Sequence, residues 1–314
     1  MKKLLSILVM LLLIFGAGGC GAEQAQTQPE TGLRIVTTVF PAYDFARQIA
    51  GDRASVTLLL PPGAEAHSFE PTAKDMARIQ SADLFFRNGG ESEAWAEELL
   101  ESDGGIRSLA MLDCVDALEE ELAEGMQHTH EDHEEEEGPE YDEHVWTSPK
   151  NAVRICEALC DELCAIDPEG ESVYRENLRA YSEKLQALDY AFRQLVDGGR
   201  FHTVVFADRF PVRYFVEEYG LTYFAAFPGC AEDTEPSART VAFLIDRVRE
   251  EGLPAVFYIE FSNEKMADII CEDTGCDKLL FHSCHAVSAD ELRSGVGYLE
   301  LMQKNLEALK EALG

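Results

Sequence analysis

Residues 168–199 read PEGESVYRENLRAYSEKLQALDYAFRQLVDGG. Past Gly170 no glycine interrupts the stretch until Gly198-Gly199. Leu178, Tyr181, Leu185, Leu188, Phe192 and Leu195 recur at steps of three or four, the period of a helix with one partly buried face. A single long helix is therefore expected from about 168 to 196, stopped by the paired glycines. On both sides of it the pattern alternates strand and helix. Upstream, strands are expected at 33–39, 55–60 and 83–87, with helices at 41–50, 72–80, 91–101 and 149–165. Downstream, strands are expected at 201–206, 221–227, 255–260 and 278–281, with helices at 236–251, 263–274 and 288–313. Alternation of this kind reads as α/β. The expected architecture is two lobes, each a mainly parallel sheet flanked by helices, bridged by one long rigid helix. The N-terminal lobe spans 33–167, the connecting helix 168–199 and the C-terminal lobe 200–314.

The 314 residues are 46% hydrophobic, enough for a substantial core. Against 26 basic residues stand 59 acidic ones, a net charge of -33. Such a chain repels nucleic acid and anionic membrane surfaces and attracts cations. The first twenty residues read as an export leader: Lys2 and Lys3, an apolar run at 4–15, small residues at 16–19, then Cys20. The apolar run is too short to span a bilayer. Small residues running into a cysteine resemble a bacterial lipobox, so Cys20 is the expected lipid-attachment site and 21–32 a flexible tether.

Eight further cysteines follow. Cys156, Cys160 and Cys164 fall on one helix face and read as buried small residues, since adjacent turns give poor disulfide geometry. The number of thiols fits either a low-oxygen habitat or disulfides across the fold.

Residues 119–143 (EEELAEGMQHTHEDHEEEEGPEYDE) contain no Lys or Arg, and His128, His130 and His133 stand among the carboxylates. This self-repelling segment is expected to collect metal weakly and exchangeably. Three other places carry donor groups at the carboxyl ends of expected strands, where ligands bind in open α/β sheets. His67, with Glu65 nearby, follows 55–60 in a proline-stiffened loop; 281–285 reads FHSCH, with His282 and His285; Glu260 ends another strand. His144 stands just before a helix, and Trp146 is placed to cover a buried ligand. Neutral imidazoles on rigid loops suit zinc.

The segments PPGAEAHSFEPT (61–72), ADLFFRNGG (82–90), EHVWTSP (143–149), EEYGL (217–221) and IEF (259–261) resemble the zinc- and manganese-binding solute-binding lipoproteins of bacterial ABC importers, the cluster A-I family of high-affinity zinc-uptake type. The resemblance runs from about 33 to 312. It implies two lobes with one metal in the cleft, and it matches His67 and His144 to the first two histidine ligands. The acidic, His-rich insertion resembles the zinc-selective branch. The chain departs from the pattern where a third histidine is usual: Ala207 stands there, and Asp208 is the nearest coordinating group. Where a carboxylate ligand is usual after the last strand, the chain has His282-Ser283-Cys284-His285. The expected ligands are thus His67, His144 and one of His282 or His285, with His285 preferred and Asp208 as candidate carboxylate. Glu65 and Glu260 are expected to orient ligands. Cys230 and Cys284 are expected to pair as a disulfide beside the cleft, with thiolate ligation as the sharper alternative.

No HExxH, GxSxG or phosphate-binding glycine loop is present, so an enzyme is not expected. The resemblance implies a monomer that captures Zn(II), with Mn(II) as the alternative cargo, and delivers it to an ABC permease with its ATPase subunit. A surface adhesin or metal-buffering lipoprotein is the rival reading.

Overall fold

The computed structural model describes residues 32–102, 104–126, 140–231 and 237–314. Cys20 and the metal-collecting histidines His128, His130 and His133 lie outside the described residues. Strands β1 (Leu33–Thr37), β2 (Ala54–Leu58), β3 (Leu84–Arg87) and β4 (Ser108–Ala110) form an all-parallel sheet in the order β2-β1-β3-β4. Helices α1 (Phe40–Ala50), α2 (Ala73–Gln80), α3 (Ala94–Ser102) and α4 (Pro149–Ile166) accompany it, and α5 (Glu171–Gly198) follows as one helix of 28 residues. Strands β5 (Thr203–Phe210), β6 (Thr222–Pro228), β7 (Ala255–Tyr258) and β8 (Asp277–Leu280) form a second parallel sheet in the order β6-β5-β7-β8. Around it lie α6 (Arg213–Tyr219), α7 (Ala238–Glu251), α8 (Lys265–Thr274), α9 (Ala289–Ser294) and α10 (Tyr298–Leu313). Among the described residues no helix is long and apolar enough to cross a membrane.

The structure departs from the sequence reading at four places. β4 has only three residues and α6 only seven, and neither gave a periodic signal. The strand expected to end at Phe206 runs on to Phe210, through a register shift against β6 between Phe206 and Arg209. The last helix is two. Ser288 and Glu291 form a capping box that opens α9, and Gly295 closes it at φ 76°, a left-handed turn that suits glycine. α10 then starts afresh at Tyr298.

The periodic face of α5 explains why the two sheets behave as parts of one body. Tyr181, Leu185, Leu188 and Phe192 are buried, and Leu178 and Leu195 are partly so. One continuous apolar cluster runs from Ile35 and Phe45 through Ile155 and Leu159 of α4, across this α5 face, to Phe206, Phe257 and Leu301 beside the second sheet. Cys156 and Cys160 belong to that core, and Cys164 lies partly buried against it. All eight described cysteines are free thiols, including Cys271 and Cys276, whose sulfurs lie 3.5 Å apart.

Asp44 of α1 sits inside this core and joins three elements. Its carboxylate accepts the backbone N–H of Tyr298 at the start of α10 (2.9 Å) and the hydroxyl of Tyr181 on α5 (3.3 Å). Burial raises its pKa, while the hydrogen bonds from Tyr298, Gln48 and Tyr181 and the nearby Arg47 charge oppose the rise. Replacing Asp44 with Ala strands a buried helix N–H, which costs about 1–3 kcal/mol. Urea unfolding of Asp44→Ala should show a loss of that size; an unchanged midpoint would mean the three elements do not depend on this carboxylate.

Candidate metal centre

His67, His144 and His285 come from distant parts of the sequence, and the fold brings them together. The loop after β2 carries His67. Its backbone is pinned by the N–H of Gly63 on the carbonyl of Val287 (2.9 Å) and by Glu65, which accepts from the N–H groups of Ala66 (3.0 Å) and His67 (3.4 Å). His144 precedes a single 3-10 turn, Val145–Thr147, which feeds α4 through the Ser148 N-cap. His285 follows β8 in a loop that bends at Cys284, a non-glycine residue at φ 64°. That bend separates the two histidines of the loop. His285 turns toward His67 and His144, whereas His282 accepts the Cys284 N–H on Nδ1 (2.9 Å) and sets its Nε2 3.9 Å from Glu291.

Ring centroids of the three converging histidines are 5.2, 4.9 and 5.2 Å apart, and one donor atom from each lies within 4.8 Å of the others. Two nitrogens on one tetrahedral zinc lie about 3.3 Å apart, given Zn–N bonds of roughly 2.0–2.1 Å. Small side-chain shifts close that difference. The three histidines line a cleft of about 250 Å³, with Arg209 and Glu260 also on its wall. Trp146 closes the inner side: it is fully buried, its ring lies 5.5 Å from His144 and 5.0 Å from His285, and its indole N–H donates to the Ser283 carbonyl (2.8 Å).

Hydrogen bonds leave one ring nitrogen of His144 free. Asp142 Oδ1 accepts both the backbone N–H of His144 (2.8 Å) and its Nδ1–H (3.2 Å). The remaining ring nitrogen, Nε2, is buried with no hydrogen-bond partner. A carboxylate that holds one imidazole nitrogen and leaves the other lone pair bare is the usual support of a metal-ligating histidine. Glu260 acts one step further away. It accepts the N–H of Ser283 (2.7 Å) and the Ser283 hydroxyl, whose oxygen in turn accepts the His285 N–H (3.1 Å).

Asp208 is not part of this group. It lies within β5 rather than in a loop, and its carboxylate accepts the N–H groups of Arg209 (2.8 Å) and Ile259 (3.4 Å) at the register shift. The cleft side of that shift is filled by Arg209, which donates to Glu65 across the two lobes (2.8 Å). The disulfide expected between Cys230 and Cys284 is not formed. Cys284 is packed in the apolar core, and Cys230 stands beside His67 and Glu143.

The electrostatics follow from burial and from these neighbours. Burial drives the His67 pKa down to about 3, helped by charge on His144. Burial likewise holds His285 well below its usual value, with His67, His144 and Arg209 adding to the effect. For His144 burial pulls down as well, but Asp142 outweighs it through charge and hydrogen bonding, and the pKa rises. Burial also works against the Glu65 charge, yet Arg209 outweighs it and keeps that carboxyl below its ordinary range. The sequence reading missed Asp142 and Arg209. Asp142 stands two residues before His144, a legible signal; nothing in the sequence marks Arg209.

The family model described as "Zinc-uptake complex component A periplasmic" matches residues 35–312. The chain is 32% identical over 311 residues to the zinc-binding lipoprotein AdcA of Streptococcus pneumoniae, covering 99% of this chain and 61% of that protein. It is 30% identical over 310 residues to the high-affinity zinc uptake system protein ZnuA of Bacillus subtilis, covering 98% of this chain and 96% of the relative. The Zn(II)-bound ZnuA-like domain of S. pneumoniae AdcA superimposes with a TM-score of 0.74 at 31% identity, over 90% of this chain and 99% of that one. The chain thus spans about 61% of the length of the streptococcal relative and nearly all of the Bacillus one. With two parallel four-stranded sheets joined by one long helix and a match over almost every described residue, the chain belongs to the family of the periplasmic zinc-uptake complex component A.

Proposed function

We propose that this protein captures one Zn(II) ion in the cleft between its lobes, outside the cytoplasmic membrane, and delivers it to an ABC permease with its ATPase subunit. His67, His144 and His285 are the ligands, Asp142 orients His144, and Glu260 holds the backbone of His285 through Ser283. Cys20 carries the lipid anchor, the working division into lobes is 33–167 and 200–314, and His128, His130 and His133 raise the local metal concentration. The protein works as a monomer and is not an enzyme. One observation carries the reading: the bare, buried Nε2 of His144 stands in a cluster with two other imidazoles whose pKa values burial holds low. Nitrogen-rich sets favour zinc, whereas manganese prefers oxygen donors.

Competitive zinc titration tests this. The wild type should hold one tight equivalent, lost in His67→Ala and clearly weakened in His285→Ala. Asp142→Ala should weaken it by about 10–100-fold, the usual effect of losing the partner of a ligand. Asp208→Ala and His282→Ala should keep the tight equivalent. Zinc held by His285→Ala as tightly as by the wild type, or zinc binding that vanishes once 127–139 is deleted, would refute the proposal and favour a metal-buffering surface protein.

Proton competition supplies a second test. A ligand competes with protons only below its own pKa. His67 and His285 are depressed and stay neutral well into acid, so His144, with its raised pKa, is the histidine that gives up a proton to zinc as pH falls. Zinc affinity should fall by no more than about tenfold per pH unit between roughly pH 6 and 4, where three ordinary histidines would give about a thousandfold. Without metal, the two depressed histidines take up protons only on unfolding. The stability they contribute is present above about pH 6.5 and is lost as pH falls below it. Titrations at stepped pH, read against a competing chelator, check the slope.

A further inference from the structure

A second set of donors adjoins the first. His67 Nδ1 lies 4.0 Å from Oε2 of Glu143, and the thiol of Cys230 comes within 4.8 Å of donor atoms of both residues. The three come from separate segments: the loop after β2, the residue before His144, and the loop after β6. Each is held in place. Glu143 accepts the Ser92 N–H (2.8 Å) and the Ser92 hydroxyl, and the Cys230 N–H reaches Glu120 (3.4 Å). The residue before Cys230 has to be glycine: a Cβ on Gly229 would stand 2.9 Å from the Phe210 carbonyl and 3.0 Å from the His144 ring. Cys230 is a free thiol, and the side chains of His67 and Glu143 are only 6% and 4% exposed.

The two sets differ in charge and in softness. Three neutral imidazoles beside Arg209 supply no anionic donor to a divalent ion in a buried place, where charge is costly. The carboxylate of Glu143 and a thiolate at Cys230 would balance it, and a sulfur donor favours zinc or cadmium over manganese.

We propose that His67, Glu143 and Cys230 form a second, thiolate-containing position for the same thiophilic divalent cation, sharing His67 with the three-histidine position. An ion passing between them keeps His67 and exchanges His144 and His285 for Glu143 and Cys230. The S–H bond of Cys230 breaks, a sulfur–metal bond forms, and the proton leaves to solvent. No oxidation takes place. The inference rests on the reading that the cleft binds a divalent metal.

Cobalt(II) tests it on the full-length chain in detergent, because a thiolate on cobalt gives a near-ultraviolet charge-transfer band that nitrogen and oxygen donors do not. His285→Ala removes the three-histidine position and leaves the second one whole. That variant should bind one cobalt with the thiolate band, and adding Cys230→Ser should abolish the band. His285→Gln carries the same test if the alanine variant does not fold. Cobalt bound by His285→Ala without the band, or a band that survives the removal of Cys230, overturns the proposal. The two readings fail separately. Wild-type affinity indifferent to His285 sinks the three-histidine site, whereas loss of the band alone sinks only the thiolate position.

Discussion

The shared apolar core under both sheets is the constraint on which the rest of the structure depends. Phe45, Tyr181, Phe192, Phe206 and Leu301 belong to one cluster, although they come from both lobes and the helix between them. Close packing of this kind resists continuous deformation. The loops at the carboxyl ends of β2 and β8 are therefore held at fixed separation. Backbone bonds reinforce them: Phe40 N–H to the His285 carbonyl at 3.2 Å, and Gly63 N–H to the Val287 carbonyl at 2.9 Å. A metal site built from both lobes needs that rigidity, because a shift of one ångström in a ligand is comparable to the tolerance of its coordination sphere.

Within the cleft the chemistry is set by what each imidazole is allowed to do. Asp142 takes the Nδ1 proton of His144 and leaves Nε2 bare, while burial keeps His67 and His285 neutral. At His67 and His285 this lowers the proton competition that a binding site would otherwise meet. Arg209 works in the opposite direction. A guanidinium beside three histidines disfavours a cation, and its pairing with Glu65 at 2.8 Å moderates that cost while linking the two lobes at the mouth of the cleft. The cleft thus sets neutral imidazole donors beside one opposing positive charge.

Much of the architecture was legible along the chain because period and punctuation are local. The α5 face, the alternating strands and the capping residues each show within a window of a few turns. The elements that stayed hidden were the short ones: β4 and α6 are too brief to show a period, and the break at Gly295 rests on a capping box and one left-handed glycine inside an otherwise helical stretch. The extension of β5 was hidden for a different reason. Its last residues are held by β6 and by Ile259, partners far away in sequence.

The site divides along the same line. His67 and His144 stand in stiff, distinctive segments, so the sequence by itself marked them and also set the acidic balance that draws cations. Between His282 and His285 it preferred the second, which lies further out in the loop. The tertiary structure supplied the physical reason, because the left-handed bend at Cys284 sends one imidazole to the cleft and the other toward Glu291. The same is true of Asp208, whose carboxylate is taken up by backbone N–H groups at the register shift, and of Cys230, which the turn at Gly229 brings against His67 and Glu143. Donor identity is written in the chain, but donor direction depends on backbone geometry and on partners that only the folded state brings into reach.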